Sequence, residues 1–352
     1  MTYAPRAART EKVVGPGEFR FAAVGLIHGH IYGMCSGLMD AGAELAAVYD
    51  PDPAVLKAFT DRYPDAPVAR CEDEILEDDR VQLVASAHIT CERGPLGLRV
   101  QDHGKHYLSD KAPFTALEQL GAARRKVEET GLVWGCCYSE RVQNEAGVYA
   151  GYLLRDGAIG RVIQVLGLGP HRLNAPSRPP YFFDRKQYGG ILCDIGSHQV
   201  EQFLSYTGAV DASVTGSRIA NYHHPEYPEL DDFGDATLVA DNGAAGYFRV
   251  DWFTPDGLPT WGDGRTLILG TDGYIELRKY LDLDRDSTGD HVFLVDHRGV
   301  QHIPVHGKVG FPYFGALIRD CLEGTETAMS QRHTFLAAQL SLEAQKNATR
   351  LA

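Results

Sequence analysis

The stretch FRFAAVGLIHGHIYGMCSGLMDAGAELAAVYD, residues 19–50, decides the fold. Phe19–Leu26 is a short apolar run that reads as a buried strand. Gly25, Gly29 and Gly33 follow, interleaved with His28 and His30, and Ile31–Met39 continues as a helix. Glu44–Tyr49 is a second strand, and Asp50 stands at its C-terminal end, 25 residues after Gly25. Strand, glycine turn, helix, strand and acid is the layout of a dinucleotide-binding βαβ unit. In such a unit the helix N-terminus holds a pyrophosphate and the carboxylate accepts ribose hydroxyls. The glycine spacing departs from G-x-G-x-x-G, because Ile27 and His30 occupy its second and third glycine positions. A Cβ at position 27 crowds the pyrophosphate approach, so this stretch alone fits both a nucleotide turn and an α/β turn that binds nothing. His28 and His30 have no third ligand at a recognisable spacing, and no metal is expected.

Outward from this stretch the alternation continues. Ala54–Tyr63 reads as a helix, Val81–Ala87 as a strand, and Gly94–His103 as a helix ending at Gly104. His106–Leu108 is a brief strand leading to Ser109, Asp110, Lys111, Ala112 and Pro113. Leu117–Thr130 is an amphipathic helix closed by Gly131, and Leu132–Cys137 another strand. Strictly alternating elements predict a parallel, doubly wound Rossmann sheet, whose ligands sit beyond the strand C-termini. Asp50, Ser86 and Lys111 fall on that rim. The expected cofactor-binding residues are therefore Gly25, Ile27, His28, Gly29, His30, Asp50, Ser86 and Lys111.

The pattern changes after a helix at Ala146–Arg155 and a turn at Gly157–Gly160. Arg161–Gly167, Ala236–Ala240, Ala244–Phe253, Thr266–Leu269, Tyr274–Arg278 and His291–Asp296 read as strands with hairpin-like spacing. They predict an α+β domain with a largely antiparallel open sheet. Phe314–Leu322 and His333–Ala348 read as final helices. The expected organisation is a flexible arm (1–18), the Rossmann domain (19–140), a substrate and oligomerisation domain (141–330) and a C-terminal helix (331–352) packing back on the Rossmann domain.

Within the second domain lies GGILCDIGSH, Gly189–His198. The glycine pair permits a tight turn, and on one helix Asp194 and His198 would share a face one turn apart. An acid and an imidazole so placed suit proton transfer. The same spacing also suits a surface pair that supports its helix by a few tenths of a kcal/mol. Cys193 beside them reads as a buried, inert thiol.

Composition sets the bounds. A chain of 352 residues is longer than one core usually holds. Hydrophobic residues at 44% and charged residues at 23% are those of a globular protein. A net charge of −13 argues against nucleic-acid and anionic-membrane partners. No run approaches the roughly 18–20 apolar residues of a membrane span, and the N-terminal stretch has no apolar core of a signal peptide. Seven scattered cysteines without a CxxC pattern suggest reduced thiols and a cytoplasmic location. His223, His224, Asp231 and Asp232 lie in a Pro- and Tyr-rich loop and read as a solvated loop, not a metal site.

With these pieces in place, the chain after its N-terminal arm resembles the Gfo/Idh/MocA oxidoreductases, the glucose–fructose oxidoreductase and inositol dehydrogenase family. Three features carry the resemblance: the turn Gly25–Gly33 with Asp50; GKHYLSDKAP, Gly104–Pro113, similar to G-K-H-V-x-x-E-K-P; and GGILCDIGSH, similar to G-G-x-x-x-D-x-G-x-H. Asp110 replaces the family's glutamate, Ala112 is inserted before Pro113, and Thr90, Cys91 and Glu92 lie where a histidine is often found after the fourth strand. The resemblance implies an NAD-dependent oxidoreductase that moves a hydride between nicotinamide and a secondary alcohol of a sugar, cyclitol or related polyol. It implies Lys111, Asp194 and His198 as catalytic residues, with His198 as proton acceptor, Lys111 stabilising the alkoxide, and Asp194 orienting Lys111 or His198. Polar and aromatic loops offer Arg141, His171, Arg172, Asp184, Trp261 and Arg265 as substrate contacts. Asp50 is followed by Pro51, Asp52 and Pro53 with no nearby cation, which favours NAD over NADP. Two alternatives stay open: a redox-neutral lyase or hydrolase with tightly held NAD, and a non-catalytic regulator on the same fold. An uncovered sheet face predicts a homodimer or homotetramer.

Overall fold

Apolar runs bounded by glycine turns form the strands of two units, each with its own sheet. A computed structural model describes residues 11–285 and 287–352. One unit comprises the described residues up to Ser139 with Phe311–Phe335; the other comprises Glu140–Gly310 with Leu336–Ala352.

The first unit holds β1 (Arg20–Val24), β2 (Glu44–Tyr49), β3 (Leu83–Ser86), β4 (His106–Asp110) and β5 (Trp134–Cys137). All pair in parallel, in the order β2-β1-β3-β4-β5. Its helices are α1 (His30–Asp40), α2 (Pro53–Arg62), α3 (Glu72–Leu76), α4 (Thr90–Asp102) and α5 (Leu117–Thr130). β3 and β5 are buried along their whole length, as parallel strands covered on both faces are. The strand order reverses between β1 and β3, so their C-terminal ends form the rim where such sheets take ligands. α4 starts earlier than the apolar pattern predicts, and Pro95 lies inside it. Pro95 cannot donate to the carbonyl of Cys91; the Gln119 side chain donates there instead, at 2.9 Å. Thr90, Cys91 and Glu92 thus open α4 directly after β3, not after the fourth strand.

The second unit begins in α6 (Ser139–Val142) and continues with α7 (Glu145–Arg155), α8 (Arg185–Tyr188), α9 (Ile191–Asp194) and α10 (Gly196–Thr207). Its strands are β6 (Val162–Pro170), β7 (Ala212–Ala220), β8 (Phe233–Ala240), β9 (Ala245–Asp251), β10 (Arg265–Gly270), β11 (Gly273–Arg278), β12 (His291–Asp296), β13 (Gly299–Pro304) and β14 (Thr349–Arg350). They form one nine-stranded sheet, β13-β12-β11-β10-β6-β9-β8-β7-β14. The β6–β9 and β7–β14 pairs are parallel and the rest antiparallel. α10 lies over β6, β9 and β8, and Gly246 of β9 makes room for the Phe203 ring.

Three expectations change. The first concerns the ends of the chain. α11 (Pro312–Glu323) belongs to the first unit, where Phe314 fills the space over Gly37 and the Tyr313 hydroxyl donates to the Cys136 carbonyl at 3.0 Å. α12 (Gln331–Lys346) is divided, and Leu336–Ala352 groups with the second unit. There Ser217 Oγ donates to the Ala344 carbonyl at 2.7 Å, and β14 adds to β7. The second concerns the arm. Residues 1–10 lie outside the described residues, but Val13 donates to the Ala41 carbonyl at 2.9 Å, so residues 11–18 are not a free arm. The third concerns GGILCDIGSH. Asp194 ends α9 and His198 lies in α10, so they do not share one regular helix. Ile195 between them is helical in φ and ψ, but His198 N–H bonds to Ile195 O, a tighter step than the α-helical one.

Two helical glycines separate packing from propensity. A Cβ at Gly97 of α4 would overlap the Trp134 ring, whereas one at Gly121 of α5 meets only the tip of the Arg125 side chain at 3.6 Å. Both changes gain the same helix propensity, up to about 1 kcal/mol. Gly121→Ala should therefore be neutral or stabilising, and Gly97→Ala should destabilise by about 1–3 kcal/mol through overpacking. Urea denaturation of the two variants checks this, and equal midpoints would contradict the packing.

Candidate functional site

In the first unit the strand ends converge on the turn between β1 and α1. Gly25 has φ +69°, and a Cβ there would lie 2.5 Å from the His88 ring. Only glycine meets both constraints. Gly25 N–H donates to Tyr49 O, its carbonyl accepts from Ala87 N–H, and His28 N–H donates to Ala87 O, so the turn is tied to the ends of β2 and β3. Asp50 accepts Leu26 N–H at 2.7 Å and Asp52 N–H at 2.9 Å. Each oxygen keeps a further lone pair for a ribose hydroxyl. α1 starts at Gly29 with no side-chain cap and no acidic residue in its first turn, which suits a pyrophosphate. The residues present fit the adenosine half of a dinucleotide. Ser86 is fully buried and its hydroxyl accepts His88 N–H, so its side chain is occupied within the fold.

Asp110, at the end of β4, has no exposed side-chain surface. His28 Nδ1 lies 2.8 Å from Oδ2, His30 Nδ1 lies 2.8 Å from Oδ1, Arg93 Nη2 lies 3.1 Å from Oδ2, and Lys111 N–H donates to Oδ1. Burial would push the Asp110 carboxyl up, but His30, Arg93 and His28 outweigh it and hold it well below the usual range. Burial lowers the His28 imidazole to about 3, against the pull of Asp110, so at neutral pH it is uncharged. His28, His30 and Asp110 bring three ligand atoms within 4.8 Å of one another. The third group that the sequence spacing did not reveal is thus Asp110. With a guanidinium on the same carboxylate, the cluster is a hydrogen-bonded anion and a poor cation site. Arg93 also donates to the carbonyls of Lys111 and Ala112, fixing the backbone on both sides of the peptide that follows Lys111. Lys111 itself is 4% exposed.

In the second unit Gly189 (φ +88°) caps α8 and Gly190 (φ +94°) opens α9 against the Gln345 side chain, whose Oε1 accepts Leu192 N–H at 2.9 Å. The turn holds Asp194 and His198 inside, 4% and 1% exposed. Burial pulls the Arg178 guanidinium down, opposed by the charge of Asp194. His198 continues into a polar face of α10. Gln199 Nε2 donates to Glu140 Oε2 at 2.9 Å, Gln202 Nε2 to the His198 carbonyl at 3.0 Å, and Lys279 Nζ to Glu140 Oε2 at 3.0 Å.

Of the expected substrate contacts, the fold joins three: Arg172 N–H donates to the Trp261 carbonyl at 2.7 Å, beside His171. The His171 and Trp261 rings pack tilted with centres 4.3 Å apart, and His171 Nε2 lies 3.9 Å from Glu140 Oε1. The side chains of Arg172 and the others are engaged elsewhere. Arg141 pairs with buried Glu201, Arg172 donates to the carbonyls of Pro255 and Leu258, Arg265 pairs with Asp263, and Asp184 caps α8 by accepting Lys186 N–H. His223 and His224 donate backbone N–H groups to Asp232 and Asn221, and Asp231 pairs with Arg185 and Arg350. A second acid–imidazole group, Glu145, Asp290 and His306, is built around backbone: Glu145 accepts the N–H groups of Gly307, Val309 and Gly310.

Sequence inspection missed Arg93, His88, Glu140 and Lys279. Two of them carried a signal. Lys279 continues the inward phase Ile275, Leu277, and Arg93 occupies the buried face of α4 with Leu96 and Val100. An ionisable side chain in an apolar phase marks a partner inside.

Comparison with known proteins bears on the family and the fold. Residues 149–276 match the model of the GFO/IDH/MocA C-terminal domain. Scyllo-inositol 2-dehydrogenase (NAD(+)) of Bacillus subtilis (strain 168) is 29% identical over 208 residues, which span 57% of this chain and 56% of that enzyme. A 1.25 Å crystal structure from Erwinia carotovora atroseptica SCRI1043, which carries a provisional oxidoreductase assignment, is 51% identical with a TM-score of 0.92, covering 95% of this chain and 100% of that one. Levoglucosan dehydrogenase in complex with NADH and levoglucosan shares the fold at 16% identity and a TM-score of 0.77, covering 93% and 97% of the two chains. With these likenesses and the motifs placed as described, the chain belongs to the Gfo/Idh/MocA family of oxidoreductases.

Proposed function

We propose that the protein is an NAD-dependent dehydrogenase acting reversibly on a secondary alcohol of a sugar, cyclitol or related polyol. The observation that carries this is the burial of Asp194 and His198, 4% and 1% exposed, inside the segment that matches the family's C-terminal domain. A pair that merely supported a helix surface would be solvated. The NAD(+)-dependent inositol dehydrogenase relative supports the cofactor and a cyclitol-like substrate.

Nicotinamide, when bound, supplies the hydride acceptor and donor. His198 takes the carbinol proton in the oxidative direction and returns it in the reductive one. Lys111 stabilises negative charge developing on the carbinol oxygen. Asp194 contributes a fixed negative charge that favours protonated partners. Asp50 and the α1 N-terminus hold the adenosine ribose and the pyrophosphate.

On this reading His198→Ala lowers turnover by roughly 10²–10⁴-fold with NAD affinity nearly unchanged. NADH absorbance with a sugar and cyclitol panel measures it. A folded variant with near-wild-type turnover excludes His198 as the proton acceptor. Product without NADH would indicate a redox-neutral cycle, and binding without product a regulator. The cofactor prediction is separate. The Asp50 carboxylate repels a 2′-phosphate, so calorimetric titration should show NAD binding more tightly than NADP, and the reverse order would reject Asp50 as the ribose acceptor.

We also infer self-association through the sheet of the second unit. Pairing aligns Val239, Gln164, Leu269, Tyr274, Val295 and Val300 in one row across the face away from α10, and Val239, Leu269, Tyr274 and Val300 are exposed. An apolar row of this extent is a self-complementary surface for a twofold partner. Sedimentation should give a dimer or tetramer, and Leu269→Glu should shift it toward monomer; a wild-type monomer at micromolar concentration would refute the interface.

A further inference from the structure

Beneath α10 lies a buried carboxylate that the mechanism above leaves unused. Glu140 is 2% exposed. Its Oε2 accepts from Lys279 and Gln199, and at 3.5 Å from Gln202. Its Oε1 accepts no hydrogen bond among the described residues and faces His171 Nε2 at 3.9 Å. The carboxylate is therefore anchored on one oxygen and turned by the other toward an imidazole.

The His171 ring is itself oriented. Nδ1 lies 3.1 Å from the Gly169 carbonyl, which accepts only a proton-bearing nitrogen, so Nδ1 carries hydrogen. In the neutral ring Nε2 would then turn a lone pair toward the Glu140 oxygen. In the imidazolium form Nε2 carries hydrogen beside it, and a carboxylate at 3.9 Å favours that cation by its charge.

We infer that Glu140 is a positioning residue: anchored by Lys279 and Gln199, it directs negative charge at His171 and His198 and stabilises their imidazolium forms. For His198 this role opposes burial. Burial disfavours an imidazolium, and a nearby anion favours it. The charged and titratable groups facing Glu140 are Lys279 after β11, His171 after β6, and His198 and Tyr206 on α10. Arg141 and Glu201 beside them form their own pair. Consistently, burial pushes the Glu140 carboxyl up, but Lys279, His198 and His171 outweigh it and hold it well below the usual carboxylate range.

The inference rests on the dehydrogenase reading only for its kinetic consequence, and two measurements separate the pair. The first is an NMR titration of the histidine rings in the full-length apo-protein, with His171→Ala and His198→Ala spectra for assignment. In Glu140→Gln the imidazole pKa values of His171 and His198 should fall by about one pH unit, the lower end of what one charge at this range produces. Because this variant leaves Lys279 buried without a counter-ion, Glu140→Gln/Lys279→Met is titrated beside it, with a fall in the same direction expected. The second is the pH profile of polyol oxidation. Removing the anion makes His198 a weaker base that is neutral at lower pH, so the rising limb of kcat/KM should move down by about one pH unit. Unshifted imidazoles in either folded variant, or an unmoved limb in an active one, overturns the assignment. Absence of NADH from wild-type enzyme with every polyol would instead defeat the dehydrogenase reading, and the ring titrations would still decide the role of Glu140.

Discussion

Asp110 carries a negative charge with no exposed side-chain surface, and the opening turn of the first unit is arranged around it. Burying a carboxylate costs several kcal/mol unless it is paired and hydrogen-bonded. Four contacts meet that requirement here: the His30 imidazole and the N–H of Lys111 are hydrogen-bonded to Oδ1, and the His28 imidazole and the Arg93 guanidinium lie against Oδ2. The departures from the family pattern then become one arrangement. His30 stands where the fingerprint has its last glycine, Asp110 where G-K-H-V-x-x-E-K-P has glutamate, and Ala112 is inserted before Pro113. His30 bonds Asp110, Asp110 bonds Arg93, and Arg93 bonds the Ala112 carbonyl. The changes are scattered in sequence and contiguous in space. Together they fix the helix N-terminus to the end of β4, a role that the usual glycines leave to close backbone packing.

The second unit solves a related problem differently. α10 lies on β6 through Gln199 and on β9 through Phe203. Gly167 and Gly169 of β6 have no side chain because the Gln199 amide occupies that space. A polar layer continues to Thr266, whose hydroxyl lies 3.3 Å from Gln202 Oε1, and to Glu140 and Lys279. Such a layer adds little stability compared with apolar side chains of equal volume, and breaking it leaves a buried charge alone. Its value lies in where it puts charge, directly under the helix that carries His198.

Much of this was legible in the sequence, for physical reasons that also explain the rest. The parallel sheet followed from apolar runs at regular intervals, because strands covered on both faces leave no other composition. Gly25, Gly189 and Gly190 marked turns, and each has positive φ. What local patterns could not reveal was set by distant contacts. Phe314 over Gly37 assigns α11 to the first unit, and Ser217 to Ala344 assigns the end of α12 to the second; neither pair is close in sequence. β7 and β13 escaped notice because exposed residues interrupt their alternation. Asp194 and His198 were legible as a pair, but the tight step at Ile195 was not, since no residue there breaks helical periodicity. Glu140 was overlooked beside Arg141, and it is the residue with the more consequential neighbours.

The fate of the arginines bears on what the second unit can receive. A site for a carboxylate or phosphate ester needs a guanidinium fork with donors to spare. Arg141 is engaged by Glu201, Arg265 by Asp263, and Arg172 by backbone carbonyls. Arg178 holds the carbonyls of Leu173 and Arg172 and lies over the Phe182 and Trp252 rings. What gathers near Glu140 is an imidazole and an indole, His171 on Trp261, with Trp252 5.6 Å from the same imidazole. Aromatic faces pack against apolar C–H surface, while imidazole and carboxylate exchange hydrogen bonds with hydroxyl groups. That combination suits a neutral, hydroxyl-bearing ring better than an anion, in keeping with a polyol as the proposed substrate and with a chain whose own net charge is −13.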